Sequence, residues 1–588
     1  MAAPAVGCMQ KLKIMKCLSR ADRCQCRGQP ERGFNRICTT VWRTPMRKLS
    51  PLILAAALTL GGVNTANAID FKIKGYWSLS YEVATNSAFA NTRAGDSTGD
   101  DFSAGERLRL QLEAKASKYL SGTVGLEIGD IYYGQAEKRG RSVGGALGAD
   151  GNPIKLKRAF LDWEVPKTDI KVRMGIQGMK LPLFASDGNF VLDDDAAGIV
   201  ASTRVSENVS VTALWARLLN DNPLETNPQY QDSLNYNASN PDNDALDFFS
   251  LLVPLRFDGL QMIPWLGLAT MGDGVGSNPS KDYSENFIRT SRKKLQEGMG
   301  VYTGTGKAPM MLEYGGGETY TWWGGLSANL SRFDPFILKF DFMYGSKRGN
   351  GLYRDKTYTK DSGSVKKLGK HGPLDADRYN RSGWFASVLA EYKMDWGTPG
   401  IFAWYSSGDD DDLGNGSERM PAMSGNWDYT HTGFKGTTAS GAYDGLFAYQ
   451  PIGLWGIALQ LREVPLMEDL TTHLKVLYMR GTNSSNMPKK IAESQFLLGE
   501  SVSGIAPSGA IGSYLTTNDW AMEVDWNTEY KIYENLKLIV EASYLYVDFD
   551  KDTWSYTASN GVKYGRDWVQ RPDNPNVFKV GMNFHYSF

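Results

Sequence analysis

Alternation of apolar and polar residues is the dominant pattern of the chain, and it is clearest in the last twelve residues. Counting back by twos from the end gives an apolar and largely aromatic set, whereas the positions between are polar, charged or glycine. The apolar set is Phe588, Tyr586, Phe584, Met582, Val580 and Phe578. Because a strand has a side-chain period of two, this pattern predicts a strand with one apolar face. An edge strand of a soluble sandwich has the same period, but the aromatic end of the apolar face favours a membrane-crossing strand.

The same alternation recurs as pairs of strands joined by short turns. Residues 519–546 contain two such strands around a turn at 533–535. Similar segments start near residues 70, 104, 120, 155, 169, 197, 208, 245, 260, 319, 335, 381, 400, 447, 469, 518, 535 and 577, with the weakest alternation at 197 and 447. Short turns alternate with long polar links, as in barrels with short periplasmic turns and long outer loops. The sequence therefore predicts an all-β fold, a transmembrane antiparallel β-barrel of about 18 strands, or 16 without one hairpin, around a water-filled interior.

The first 68 residues have a different composition. Residues 1–45 are basic, lack periodicity and contain all five cysteines. Met46-Arg47-Lys48 then precedes a short apolar run and Ala66-Asn67-Ala68, which is the layout of a signal peptide cleaved after Ala68. We expect 1–45 to be an upstream extension from a mis-assigned start (or part of an extended signal), 46–68 the signal peptide and 69–588 the barrel domain. The absence of cysteine from 69–588 fits export, because it avoids stray disulfides.

Charge and hydropathy narrow the choice of partners. Residues 1–68 contain eleven of the 64 Lys and Arg and two of the 65 Asp and Glu, which leaves 53 basic and 63 acidic residues in 69–588. This acidic balance argues against a nucleic-acid partner. The mean hydropathy of −0.36 resembles that of a soluble protein, but only alternate residues of a barrel strand face lipid. Three or four soluble domains are the alternative, and the repetition of hairpins favours one barrel.

Patterns that would indicate catalysis are few. The four histidines are His371, His431, His473 and His585, and none has the spacing of a metal site. Gly304-Thr-Gly-Lys307 lacks both the first Gly and the final Ser or Thr of a phosphate-binding loop. We therefore expect no catalytic residues, no cofactor and no metal. The acidic run Asp409–Asp412 offers oxygen ligands to Ca²⁺, although a solvated loop is the more common role of such a run.

Four stretches carry a resemblance to a known family: residues 157–162, 172–177, 529–536 and the terminal strand. They resemble the homotrimeric outer-membrane porins of sulfate-reducing deltaproteobacteria and, more distantly, the general trimeric porins. The resemblance implies a homotrimer in the bacterial outer membrane, in contact with its lipid and lipopolysaccharide. It also implies assembly by the barrel-assembly machinery, for which Phe584, Tyr586 and Phe588 would be the signal. The implied function is passive diffusion of small hydrophilic solutes and ions.

Charged residues on the predicted inward faces indicate the chemistry of a pore. Arg107, Arg109, Arg158, Lys171 and Arg173 form a basic wall on neighbouring strands. The link 178–195 contains Asp187, Asp193, Asp194 and Asp195, and in general porins the corresponding loop folds into the channel. An acidic loop that faces a basic wall would create a transverse field, whereas a surface loop with solvated acids is the alternative.

Three functions remain open at this stage. A nonspecific porin is the first, and a channel selective for sugars or for an anion is the second. A sugar channel would need a row of aromatic side chains in the lumen, for which the sequence offers only scattered candidates such as Phe160 and Phe385. The third is a barrel enzyme such as a phospholipase or protease, which would need a Ser/His or Asp/His cluster at the barrel mouth.

Overall fold

The computed structural model describes part of the chain between residues 69 and 588. The described residues are 69–86, 101–134, 145–147, 154–220, 245–271, 319–348, 358–359, 365–366, 380–412, 415–423, 426–434, 451–487, 515–553, 556–557, 563–564 and 576–588. The predicted signal peptide, the upstream extension, all cysteines, Gly304–Lys307, His371 and most of the long links lie outside them. Within the described residues, no helix has the length and hydropathy needed to cross a membrane.

One closed antiparallel sheet contains eighteen strands of the described residues. They are β1 Asp70–Thr85, β2 Asp101–Ser117, β3 Leu120–Tyr132, β4 Ile154–Glu164, β5 Lys171–Lys180, β6 Asp193–Arg204, β7 Ser210–Asn220, β8 Ala245–Leu252 continued by Leu255–Phe257, β9 Leu260–Met271, β10 Thr319–Leu330, β11 Phe336–Lys347, β12 Arg381–Tyr392, β13 Thr398–Ser406, β14 Leu454–Met467, β15 Leu470–Gly481, β16 Trp520–Tyr533, β17 Leu536–Asp548 and β18 Asn576–Ser587. The prediction of an 18-stranded all-β barrel is confirmed, and the alternative of 16 strands is wrong. Two further short hairpins pair Tyr358–Thr359 with Val365–Lys366 and Tyr556–Thr557 with Lys563–Tyr564.

Each strand pairs with its neighbour in the chain, and β18 returns to pair with β1. The closing register places Tyr586 opposite Trp77 and Phe584 opposite Leu79. The pairing extends to the last residue, because the Gly75 amide donates to the Phe588 carbonyl at 2.8 Å and the Phe588 amide donates to the Gly75 carbonyl at 3.0 Å. Closure leaves no unpaired sheet edge, which a bilayer would not tolerate.

The terminal aromatic residue should be needed for assembly. Deleting Phe588 removes both of its hydrogen bonds to Gly75. It also removes an exposed aromatic side chain from the outer face of the pair β1–β18. We expect little folded barrel from this variant, but normal conductance from the channels that do form. The heat-modifiable band on unboiled gels measures the yield, and Phe588→Tyr is the control because it keeps an aromatic ring. A normal yield of folded barrel from the deletion variant would contradict a role of Phe588 in assembly.

Alternation assigns the two faces of every strand as the sequence predicts. On β16 the large apolar residues Met522, Val524 and Trp526 are exposed on the outside, whereas Glu523 and Asp525 are buried on the inside. This is the pattern of a wall that faces lipid on one side and a polar interior on the other. Two strand starts differ from their predicted positions by several residues: β6 starts at residue 193 rather than 197, and β14 at 454 rather than 447.

Short turns join the strands at one end of the barrel. Gly259, in the turn between β8 and β9, has φ +64°, and a Cβ atom there would lie 2.5 Å from the Cα atom of Arg332. Only glycine therefore fits at this position without displacing the neighbouring turn. The long links, where they are described, lie at the opposite end, and two of them fold into the barrel.

A hydrophobic core lies inside the barrel, which was not expected from the prediction of a water-filled interior. It combines inward side chains of the strands with residues of the links β5–β6 and β13–β14. Its largest fully buried members are Trp323, Trp427, Phe190, Phe248, Phe385, Phe402 and Phe434. Part of the lumen is therefore filled by protein.

Candidate functional site: the lumen and its two inner segments

The first inner segment is the link Leu181–Leu192 between β5 and β6. Its two ends are paired with each other, because the Leu181 amide donates to the Leu192 carbonyl at 2.9 Å. Between these ends it crosses to the wall of β10–β12, where the amides of Phe184 and Ala185 donate to the Asp341 carboxylate at 2.8 and 2.7 Å. The Ser327 hydroxyl also donates to a carbonyl of the segment. The backbone of this segment is therefore held against the inside of the wall, whereas the Asp187 side chain is 75% exposed.

The second inner segment, residues 415–423 and 426–434, belongs to the link between β13 and β14. Its tip lies against β15–β18, where the amides of Thr432 and Gly433 donate to the Glu523 carboxylate at 2.7 and 3.0 Å. The ammonium group of Lys579 donates to the His431 carbonyl at 3.1 Å, and that of Lys475 donates to a second carbonyl of the tip. Backbone donors of the tip thus face carboxylates, and backbone acceptors face ammonium groups.

The two inner segments meet inside the barrel. Asp187–Asn189 and Asn426–Asp428 form a two-stranded antiparallel sheet. The indole N–H of Trp427 donates to the Ser186 hydroxyl at 2.8 Å, and the Met423 amide donates to the Phe190 carbonyl at 3.1 Å. We call the joined residues 181–192 and 426–434 the inner bridge. It connects the wall of β10–β12 with the wall of β15–β18.

Aromatic side chains of the wall hold the inner bridge. Phe190 packs edge-on against Phe385 with ring centroids 5.0 Å apart, and Trp427 packs against Trp404 at 5.2 Å. Phe402 and Tyr429 approach at 4.2 Å. Lumen-facing aromatic residues are therefore more numerous than the sequence indicated, but these are buried under the bridge and do not form an exposed row for sugar binding.

A signal for these buried aromatic residues is present in the sequence. Where both faces of a strand are covered, two aromatic residues are adjacent: Trp322-Trp323, Trp384-Phe385, Trp404-Tyr405 and Phe248-Phe249. In each pair one ring is exposed on the outer face and the other is buried in the lumen. These four pairs depart from the rule of one polar face and lie on strands β8, β10, β12 and β13, whereas the pair Tyr76-Trp77 on β1 shows that adjacency alone is not specific for the bridge.

Two titratable groups of the inner bridge lie in contrasting environments. Burial, reinforced by the nearby Lys475 and Lys579, lowers the pKa of His431 to about 3. This imidazole is therefore neutral near neutral pH, and its approach of 3.7 Å to the Glu541 carboxylate is not an ion pair. Burial raises the pKa of Asp187, but hydrogen bonds from Lys180 and from the Gly188 amide outweigh it and lower the pKa overall. Asp187 thus stays ionised beside Lys180.

Several charged side chains on the wall of β2–β5 are accessible to water among the residues that the structure describes. The exposed fraction is 43% for Arg158 and 67% for Lys171, against 0% for Glu523 under the bridge. Arg173 forms a two-pronged ion pair with Asp162 at 2.7 and 2.9 Å. Charge is therefore covered where Glu523 lies under the bridge and accessible at Arg158 and Arg173 of this wall.

Arg109 and Arg173 of this wall each have a carboxylate and an aromatic ring beside them. Arg109 contacts Glu127 at 2.7 Å and lies over the ring of Tyr76. The guanidinium group of Arg173 lies 4.2 Å from the centroid of the Phe160 ring. Because guanidinium stays charged at any working pH, these contacts fix the position of the positive groups without removing their charge.

Of the predicted pore residues, the five basic ones lie on β2, β4 and β5. Arg107 occupies the inward position next to that of Arg109 and pairs in register with Ser78 of β1. Lys171 contacts Glu164 at 3.0 Å. Lys155, which lies 3.7 Å from Glu127, is a further basic residue that the sequence analysis did not select.

The predicted acidic residues do not form one loop. Asp193, Asp194 and Asp195 are the first residues of β6, and only Asp187 belongs to the inner segment. Asp195 contacts Arg158 at 2.8 Å and Lys157 at 3.2 Å, whereas Asp187 and Asp193 contact Lys180 at 2.5 and 3.4 Å. Asp194 is exposed and accepts the Asp195 amide. The acids thus lie beside basic partners rather than across a gap from them, because strand pairing of β5 with β6 brings them to the same wall.

The acidic run Asp409–Asp412 is hydrogen bonded within its own turn and to neighbouring links. Asp409 is buried and accepts the Ser417 hydroxyl at 2.5 Å, and Asp411 accepts the Asn486 amide group at 3.1 Å. Across the part of the chain that the structure describes, no group of three or more His, Cys, Asp or Glu side chains is placed to hold a metal ion.

Comparison with known proteins gives similarity in structure only. No protein-family model matches the chain, and no curated protein matches it. Similar solved structures include OpdQ of Pseudomonas aeruginosa (11% identity, covering 88% of this chain and 98% of that chain, TM-score 0.41), the outer-membrane protein OprD of Pseudomonas aeruginosa (10%, 88% and 94%, 0.39) and the outer-membrane channel DcaP of Acinetobacter baumannii (9%, 90% and 99%, 0.36). At such low identity, the geometry of the lumen carries the functional conclusion.

Proposed function

We propose that this protein is a porin of the bacterial outer membrane, a channel for passive diffusion of small hydrophilic solutes and ions. The observation that carries the proposal is the division of the lumen. An inner bridge fills one side of the barrel, and water-accessible charged side chains line the wall of β2–β5. A barrel of this size with an accessible charged wall fits a diffusion channel, since barrels of 16–18 strands generally leave an aqueous passage.

The outer surface supports a membrane location. On β11 the residues Phe336, Leu338, Phe340 and Phe342 are all exposed at successive outward positions. An apolar belt of this kind would be an aggregation site in water and is stable in contact with lipid. A location in the outer membrane implies contact with its lipid and lipopolysaccharide, folding by the barrel-assembly machinery and removal of residues 46–68 as a signal peptide.

Weak anion preference is the expected selectivity. The basic side chains of the wall of β2–β5 lie on strands and keep their charge, whereas the carboxylates beside them compensate only part of it. The arrangement supports a general porin more than a sugar-selective channel, because Phe385, Phe402 and Trp404 are buried under the bridge and Phe160 lies beneath Arg173. A channel selective for an anion remains the second candidate, supported by the accessible Arg109, Arg158 and Arg173.

Planar-bilayer recording tests the proposed function. Residues 69–588, refolded and shown to be heat-modifiable, should produce stepwise conductance increases that grow with salt concentration. Liposome swelling with neutral sugars of increasing size then separates a general porin from a sugar channel, since a general porin should show only a size limit. A folded barrel that gives neither conductance nor swelling would contradict the proposal.

A homotrimer is part of the proposal, and the distribution of outward aromatic residues supports it. Rings on the outside of successive strands contact one another along β10–β17, as in Trp384 with Tyr405 at 4.9 Å and Trp520 with Tyr546 at 5.3 Å. Such belts anchor a protein at the lipid interface. Outward residues in the middle of β2–β6 are instead aliphatic: Leu108, Leu110, Leu112, Val124, Leu161, Met174 and Ile199. This sector, together with Trp77 and Leu79 of β1, fits a surface that another copy covers.

A large residue in that sector should disrupt the trimer. Ala159 of β4 and Ala403 of β13 both point outward, one in the aliphatic sector and the other in the aromatic belt. We expect Ala159→Trp to abolish the heat-resistant oligomer band on unboiled gels, because the ring has no room between subunits. Ala403→Trp is the matched control and should leave the band unchanged. If the wild-type protein is a monomer in mild detergent, the proposed homotrimer is wrong.

A further inference from the structure

Two buried carboxylates on opposite parts of the wall bind the inner bridge in the same manner. Asp341 of β11 accepts the successive amides of Phe184 and Ala185, and Glu523 of β16 accepts those of Thr432 and Gly433. Both carboxylates have no accessible surface. A charge in such a position is costly unless hydrogen bonds satisfy it, so each carboxylate strongly favours the docked state of its segment.

The two anchoring points are connected through the bridge itself. The sheet of Asp187–Asn189 with Asn426–Asp428 lies between them, and the indole of Trp427 binds Ser186 of the other segment. The buried rings of Phe190 and Trp427 both contact Phe385. A displacement of either segment therefore breaks contacts made by the other.

We propose that Asp341 and Glu523 are positioning residues that hold the two inner segments as one unit, so that release of either end loosens the whole bridge. This inference rests on the proposed function, because the bridge then sets the width of the passage along β2–β5. It differs from the picture of two independent loops, each of which would respond only to the loss of its own anchor.

Single cysteines report on the bridge without reference to transport. The chain from residue 69 contains no cysteine, and Ala185 in the first segment and Ala422 in the second are both buried. Ala185→Cys and Ala422→Cys therefore place one buried thiol in each segment. The rate of modification by a small water-soluble thiol reagent, measured on folded protein in detergent, gives the exposure of each segment.

Anchor variants are then combined with the reporter of the opposite segment. Asp341→Asn and Glu523→Gln each replace a carboxylate by an amide, which keeps the size but turns one acceptor into a donor that faces backbone N–H groups. We expect Asp341→Asn to accelerate modification at residue 422, and Glu523→Gln to accelerate it at residue 185, by about tenfold or more, since hydrogen bonds to charged groups contribute at least that factor. Asp258→Asn, in a turn remote from the bridge, is the matched control.

Each outcome decides the proposal. If a variant accelerates modification only in its own segment, or in neither, the segments do not act as one unit and the proposal is wrong. Conductance gives a second readout: the increase in the double variant should be smaller than the sum of the increases in the two single variants, because one release already loosens the bridge. A barrel that does not conduct would overturn the proposed function, yet the modification rates would still test the coupling.

A disulfide tests the same coupling with both carboxylates intact. The hydroxyl groups of Thr432 and Ser543 are hydrogen bonded to each other, so cysteines at these positions lie at about bonding distance. With Thr432→Cys and Ser543→Cys oxidised, modification at residue 185 in the other segment should slow, and reduction should restore the original rate. In the Glu523→Gln background, oxidation should return the conductance to the wild-type value. An unchanged rate at residue 185 would contradict the coupling even if the anchor variants fail to fold.

Discussion

Removal of the first inner segment should raise the single-channel conductance severalfold without loss of the barrel. Leu181 and Leu192 are hydrogen bonded to each other, and Lys180 pairs in register with Asp193. Replacing residues 182–191 with Asn-Gly would therefore join β5 and β6 by a two-residue hairpin turn. The wall strands keep their pairing, and the lumen loses buried side chains that include Phe190 and Val191.

Planar-bilayer steps in the same salt give the conductance, and heat modifiability on gels gives the fraction of folded barrel. Ala185→Gly within the intact segment is the control, because it keeps the chain across the lumen. An unchanged conductance from a folded deletion variant would place the permeation path away from the segment. The inner bridge would then be an internal support and would not set the size limit of the channel.

Loss of arginine from the wall of β2–β5 should shift the reversal potential toward cations. Replacing Arg107, Arg109 and Arg173 by Gln removes three positive charges and leaves Glu127 and Asp162 without the guanidinium groups that contact them. Opposite charges close together in a narrow passage are poorly screened, so the local change outweighs the charge of the rest of the protein. Assembly should be unaffected, since lumen positions do not face lipid.

The reversal potential under a salt gradient measures this shift. A matched triple variant with Arg204, Arg256 and Arg332 replaced by Gln has the same change in net charge at exposed positions at the turn end of the barrel. It should retain the wild-type value. If the wall variant also retains it, ions do not pass beside β2–β5, and the basic residues serve to pair with carboxylates of neighbouring strands.

The barrel itself could be predicted from the sequence because its determinants are local. A side-chain period of two selects the face of each residue, and a hairpin turn needs only a few residues, as at 533–535 between β16 and β17. Eighteen such strands with short turns at one end must close on themselves, since an unpaired edge is not stable in lipid. The number of strands, the pairing of β18 with β1 and the outward apolar faces therefore follow from pattern alone, and the structure confirms each of them.

The same patterns placed the basic residues Arg109, Arg158 and Arg173 on strands β2, β4 and β5. They did not identify the carboxylates that pair with these arginines. A carboxylate that neutralises an arginine lies on the adjacent strand, and its height on that strand depends on register. A register shift at Gly125 and Leu126 brings both Lys157 and Arg158 near Asp195. No local sequence pattern predicts this shift. Asp195 was therefore assigned to a loop that faces the basic wall, although it begins the strand beside that wall.

The inner bridge was decided only by the tertiary structure. Its anchors join residues far apart in the chain, such as Phe184 and Asp341, which are 157 positions apart, and Thr432 and Glu523, which are 91 apart. The sequence pattern of a link with mixed polar and apolar residues is the same whether the link docks inside the barrel or extends outside it. What selects the inside is the fit to buried carboxylates and to rings such as Phe385 and Trp404, and these share one surface only after the barrel has closed. Alternation along each strand thus determines the wall, whereas complementarity across the lumen determines how much of it remains open.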